Sequence, residues 1–252
     1  GSDTENDNIA IGYNAMTTNT AGGTENTAIG NYSMDTLTSG DQNTAVGMNA
    51  MGAITTGNQN TAVGRASLLI NTSGTGNTAV GRNALNQNTT GSYNTGIGGS
   101  ALDANTTGAT NVAVGFESLV GNTTGTDNVG IGVDALKANT TASNNVAVGR
   151  SALTANTTGT PNTAIGYHAM SANTTAVNNT AVGYQALNDM TDGNGRNACF
   201  GHEAGGAITS GNKNTCIGTS SGETMVTNLN CMTLGYNAEP SSNSVSNEIT
   251  FG

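Results

Sequence analysis

The sequence lacks tryptophan and is poor in aromatic and charged side chains. Of its 252 residues only 4% are aromatic and 9% are charged. No apolar run approaches the roughly 18 residues that a membrane-spanning helix needs. The 6 basic side chains are outnumbered by 16 acidic ones, which gives a net charge of −10. Binding to a phosphate backbone needs clustered Lys and Arg. The short apolar runs therefore predict no membrane span, and the few basic residues predict no nucleic-acid partner.

Cysteine is also scarce, and its spacing excludes a zinc site. The three cysteines, Cys199, Cys216 and Cys231, do not have the paired spacing of zinc ligands. Cys199 and Cys216 are one repeat apart, so they would lie about 4.8 Å apart on neighbouring strands. Both a disulfide and a pair of buried free thiols fit that separation.

What the sequence has in abundance is a short repeat. Residues 77–91 have the sequence NTAVGRNALNQNTTG, and variants of it recur throughout the chain. In each copy a bulky apolar residue precedes a marker glycine, and most markers are 17 residues apart. Such a short fixed period predicts a solenoid, in which each repeat forms one coil. The marker glycines are Gly12, Gly30, Gly47, Gly64, Gly81, Gly98, Gly115, Gly132, Gly149, Gly166, Gly183, Gly201, Gly218, Gly235 and Gly252.

Each coil is predicted to contain two short strands joined by turns, because the segments between glycines are too short for helices. Side chains alternate along a strand, so we expect the residue before the marker to point into the coil and its alanine neighbour to point out. The predicted core is Val80, Ile97, Val114, Ile131 and Val148, facing Leu85, Leu102 and Leu136. The predicted outward alanines are Ala79, Ala113, Ala147 and Ala181.

The outward alanines predict association between chains. A coil with one Val and one Leu inside has little core, and oligomerisation is the usual remedy for a small core. An outward face kept small along the chain indicates close approach of another backbone. We therefore expect a parallel homotrimer joined through the alanine column, and a stack of coils roughly 70 Å long.

The chain divides into three parts by sequence. Residues 1–2 are interpreted as a cloning remnant, and residues 3–195 carry the regular repeat. Residues 196–252 carry variant repeats, with Cys199 and Cys216 in the alanine column and Gly205 and Gly222 in the leucine column. We expect this last part to lead towards a further C-terminal tip or chaperone domain.

The copies at residues 77–85 and 179–183 resemble the head repeats of trimeric autotransporter adhesins. Because Asn-Thr-Thr-Gly lies between the motifs, the copies are also similar to repeats of phage tail fibres and of phage-derived bacterial fibre proteins. Residues 246–252 resemble the segment that precedes the self-cleaving chaperone or tip domain of such fibres. The resemblance implies a left-handed β-roll, three intertwined chains, and a place outside the cell on a virion tail or bacterial surface. The period differs, since the adhesin repeat is nearer 14 residues.

Few residues offer chemistry of their own. His168 and His202 follow marker glycines without a neighbouring ligand set, and no nucleophile, base and orienting group converge, so the sequence predicts no enzyme, metal or other cofactor. The Asn-Thr-Thr copies match the N-glycosylation pattern, but their strict period indicates a structural column. Tyr167, Tyr184 and Arg150 also follow marker glycines, and they are either a solvated corner or a weak glycan-contact stripe.

The favoured function is a structural and adhesive fibre shaft. It would project a tip towards a glycan or protein receptor on a target cell. One alternative is an ice-binding solenoid, since a threonine recurs at strand spacing; a second is a glycan-degrading β-helix, disfavoured because carboxylates are not grouped. The threonine column of the ice-binding alternative is Thr89, Thr106, Thr123, Thr140, Thr157 and Thr174.

Overall fold

The computed structural model describes residues 7–19 and 22–252. The chain divides into two compact units, residues 1–126 and 127–252, and in both the described residues form a parallel β-solenoid without helices. Unit 1 contains β1 (Ile9–Ile11), β2 (Thr27–Ile29), β3 (Thr44–Val46), β4 (Thr61–Val63), β5 (Thr78–Val80), β6 (Thr95–Ile97) and β7 (Val112–Val114). Unit 2 contains β8 (Val129–Ile131), β9 (Val146–Val148), β10 (Thr163–Ile165), β11 (Thr180–Val182), β12 (Ala198–Phe200), β13 (Thr215–Ile217), β14 (Met232–Leu234) and β15 (Ile249–Phe251).

Within each unit the strands of successive coils pair in parallel and in register with the repeat. Thr78, Ala79 and Val80 of β5 pair with Thr95, Gly96 and Ile97 of β6. The same register holds between β9 and β10 in unit 2. Each position of the sequence repeat therefore becomes a column running from coil to coil.

Each coil has one strand rather than the two that were predicted. The rest of the coil is a series of turns, in which Asn83 and Leu85 have φ angles of 59° and 52°. These left-handed conformations are incompatible with an extended strand. The turns are still joined between coils, since the amide of Leu85 donates to the carbonyl of Ala101 at 2.9 Å.

The strand faces are the reverse of the prediction. Ala79, Ala113, Ala147 and Ala181 are completely buried inside their own coils, whereas Val80, Val114 and Val148 are half-exposed and Ile97 and Ile131 are exposed. The alanine column therefore cannot be the outward, trimer-facing surface.

Space inside the coil explains the reversal. Leu85, Leu102 and Leu136 are fully buried on the wall opposite the strand. A Cβ atom at Gly96 would lie only 3.3 Å from Leu85 Cγ, so the interior accommodates a small residue opposite each leucine. A valine at the alanine position would overfill this space.

Two columns of buried asparagine complete the interior, one directly before each of the strands β2 to β13 and one in the turns. Asn77 Nδ2 donates to Asn60 Oδ1 at 3.1 Å and to the carbonyl of Gly91 at 2.9 Å. Its Oδ1 accepts the backbone amide of Asn94 at 2.9 Å. Buried amides need such partners, and the column supplies them from one coil to the next.

The variant repeats keep the interior filled by exchanging sizes between positions. Cys199 stands in the alanine column, and Gly205 replaces the facing leucine. Ile208 takes the place of the turn asparagine and is fully buried. A larger residue on one wall is therefore matched by a smaller one opposite, as close packing requires.

Candidate functional site

Tyr167 and Tyr184, two of the predicted contact residues, form a ring stack in unit 2. Their ring centroids lie 5.3 Å apart and their planes differ by 8°. Both residues directly follow marker glycines, so the register places them one coil apart, near the strand spacing. The rings therefore stack because of the repeat.

Two histidines extend this aromatic stack. The His202 ring lies 4.9 Å from the Tyr184 ring at 11°, and the His168 ring lies 4.2 Å from the Tyr167 ring. The stacking of these rings was not predicted from the sequence, although His202 directly follows Gly201 and so shares the column of Tyr184. Arg150 is exposed in the same column, one coil before Tyr167.

Stacking changes what the stripe can bind. Both faces of the Tyr184 ring are covered, one by Tyr167 and the other by His202. The two tyrosines remain 41% and 43% exposed, so the stack presents ring edges to solvent. Sugar rings prefer to stack on an aromatic face, and the predicted glycan stripe offers such a face only at the ends of the stack.

A shallow acidic depression lies beside the stack. It holds about 220 Å³ and is lined by Asp189, Glu203 and Glu223 among others. His202 Nδ1 lies 3.4 Å from Glu203 Oε2. Ligand pockets usually hold about 300–1,000 Å³, so this depression is small for a substrate.

The described residues offer little other site chemistry. Among them, no three His, Cys, Asp or Glu side chains come together to hold a metal ion. No helix in the same part of the chain is long and apolar enough to cross a membrane.

The asparagines of the Asn-Thr-Thr motifs lie in the buried turn column. The Asn105 and Asn122 side chains are fully buried, and Asn122 Nδ2 donates to Asn105 Oδ1 at 2.9 Å. The folded coil therefore withholds these amides from a glycosylating enzyme, in keeping with a structural column.

The threonines of that motif join coils. Thr89 Oγ1 donates to the carbonyl of Thr106 at 3.0 Å, and Thr106 Oγ1 donates to that of Thr123 at 3.0 Å. In unit 2, Thr157 and Thr174 repeat the contact at 3.1 Å. These hydroxyl protons are used within the protein, so the column is less available to order external water.

The outward side of the strands is the most regular surface feature of each unit. We define the outer strand face as the first and third residues of every strand, such as Thr78 and Val80 of β5. It carries no charged residue. Contiguous exposed apolar surface commonly marks an interaction site. The apolar column of this face is Ile11, Ile29, Val46, Val63, Val80, Ile97 and Val114 in unit 1, and Ile131, Val148, Ile165, Val182, Phe200, Ile217, Leu234 and Phe251 in unit 2.

Comparison of the chain with protein-family models and with curated proteins finds no match. The fold places the chain in the class of parallel β-solenoid repeat proteins. A fold by itself does not determine function, so the features that bear on function are the coil and its outer strand face.

Proposed function

We propose that this chain is a shaft segment of an adhesive fibre, in which three parallel copies associate through their outer strand faces. One observation carries the proposal: the apolar column of that face recurs in every strand of both units. The resemblance to trimeric adhesin heads supports three copies and a left-handed coil. It also supports an extracellular place, on a virion tail or a bacterial surface.

The chemistry of the outer strand face suits another copy of the same chain. Burying Ile, Val and Phe side chains that are now exposed is favourable by about 25 cal/mol per Å². No charge has to be desolvated on this face. Identical copies aligned in parallel also present the same spacing, so each apolar side chain meets an equivalent one.

The rest of the coil suits a shaft rather than a catalyst. The interior is filled by side chains and buried amide columns. The acidic depression beside the aromatic stack is small for a substrate, so it does not support the glycan-degrading alternative. A receptor-binding tip carried by the fibre would then contact the glycan or protein receptor.

Two neighbouring residues of unit 2 provide a matched test. Ile131 lies on the outer strand face and Val133 in the following turn, and both are 39% exposed. Ile131→Lys places a charge in the proposed interface and should reduce self-association, whereas Val133→Lys should leave it unchanged. Size-exclusion chromatography over a dilution series measures both, with circular dichroism to show that each variant is folded.

Equal association of the two variants and the parent would contradict the proposal. A monomeric parent chain that produced thermal hysteresis would instead favour the ice-binding alternative.

A further inference from the structure

Three sulfur atoms converge inside the variant coils of unit 2. Cys216 Sγ lies 3.8 Å from Met225 Sδ. Cys199 and Cys216 are register partners on β12 and β13, and both are free thiols. All three side chains are fully buried, so the sulfurs meet in an interior without solvent.

Two glycines create the space for these sulfurs. A Cβ atom at Gly205 would lie 2.7 Å from Cys199 Sγ and 3.5 Å from Cys216 Sγ. A Cβ atom at Gly222 would lie 2.7 Å from Cys216 Sγ and 2.8 Å from Met225 Sδ. The volume that leucine fills in regular coils is here occupied by sulfur from three segments of the chain.

The two thiols are electrostatically unequal. Interaction with Cys216 raises the pKa of the Cys199 thiol, and burial raises it further. A hydrogen bond with Cys199 lowers the pKa of Cys216, and burial opposes this effect. A hydrogen bond with the Thr233 side chain lowers the pKa further. The Cys216 sulfur therefore lies next to both other sulfur donors, Cys199 and Met225.

We infer that Cys199, Cys216 and Met225 form a binding site for one soft monovalent cation of the Cu(I) or Ag(I) type. Thiolate and thioether donors select such ions over hard cations. Zinc–thiolate bonds are about 2.3 Å long, and three bonds of that length in a trigonal arrangement separate the sulfurs by roughly 4 Å. The Cys216–Met225 sulfur distance of 3.8 Å is close to that value. Binding releases the two thiol protons and transfers no electrons. The site is independent of the proposed fibre function.

Silver(I) is a suitable probe because it is soft and does not change oxidation state under these conditions. The full chain is reduced, unfolded and refolded with and without one equivalent of Ag(I), because fully buried sulfurs would exchange slowly in the folded state. Native mass spectrometry should show one ion per chain, and the melting temperature should rise, since three ordered sulfurs should bind the ion more tightly than the thiols of the unfolded chain do.

The variants are chosen to keep the fold. Alanine occupies the Cys199 and Cys216 positions in regular coils, so Cys216→Ala should fold. It should lose affinity for Ag(I) by more than roughly 100-fold, because loss of an outer-shell partner alone costs about 10–100-fold. Met225→Leu should lose about 10-fold. The control is Cys231→Ala, because Cys231 Sγ faces the carbonyls of Leu229 and Val245 at 3.6 and 3.5 Å instead of the cluster. It should bind silver like the parent.

Several results would overturn the site. The reduced parent could fail to take up silver during refolding. A variant with alanine at both Cys199 and Cys216 could keep full affinity for silver. The Cys231→Ala variant could lose silver binding.

Discussion

Asn94 shows what a single residue does in the coil. Its side chain is fully buried, and its Nδ2 donates to the carbonyl of Gly108 at 2.8 Å. Its Oδ1 accepts the backbone amide of Asn111 at 3.0 Å. A carboxylate or an aliphatic side chain could not do both, because only an amide carries a donor and an acceptor of this shape.

Removing this amide should be costly. Asn94→Ala removes the acceptor that the Asn111 backbone amide contacts, and it removes one of two donors to the Gly108 carbonyl, which Asn105 Nδ2 also contacts at 2.9 Å. Loss of a buried hydrogen-bond partner costs about 1–3 kcal/mol. We expect the free energy of unfolding to fall by about 1–3 kcal/mol in urea denaturation. Thr107→Ala, at an exposed position, should change the free energy of unfolding by less than about 0.5 kcal/mol. Equal effects of the two substitutions would show that the asparagine column does not stabilise the coil.

At the scale of the strand, the sequence predicts much but leaves one ambiguity. The period predicts the parallel register, the short strands, the leucine core and the asparagine columns. It cannot determine which face of a three-residue strand points inward, because alternation is compatible with either orientation. The feature that decides the orientation is the narrow interior opposite Leu85. Leu85 itself has a left-handed backbone conformation, which is unusual for a residue other than glycine. For the candidate site, the sequence shows that Tyr167 and Tyr184 share a column, but it does not show that their rings stack.

A pair of substitutions in β9 tests the orientation of the strand. Ala147 is fully buried, so Ala147→Val should overpack the coil and lower the free energy of unfolding by about 1–3 kcal/mol. Val146 faces outward, and threonine occupies its column in the neighbouring Thr163 and Thr180. Val146→Thr should therefore be nearly neutral. Chemical denaturation compares the two variants. A larger loss of unfolding free energy in Val146→Thr would show that Val146, and not Ala147, points into the coil.

At the scale of the whole molecule, the composition follows from the architecture. A coil with so narrow an interior needs few large apolar residues, and most of them are leucines or methionines on one wall. The remaining large apolar residues of the strands lie on the outer strand face in both units. Composition and period therefore predict the solenoid class. The surface proposed to join copies depends on the strand orientation, which required the structure.

Sedimentation equilibrium of the intact chain tests the central claim most directly. If outer strand faces cover one another in a parallel trimer, the measured mass should be three times the 24.9 kDa of one chain. That mass should persist on dilution through the micromolar range. A single species of 24.9 kDa at all concentrations would contradict the account, because the apolar outer face would then remain exposed in solution.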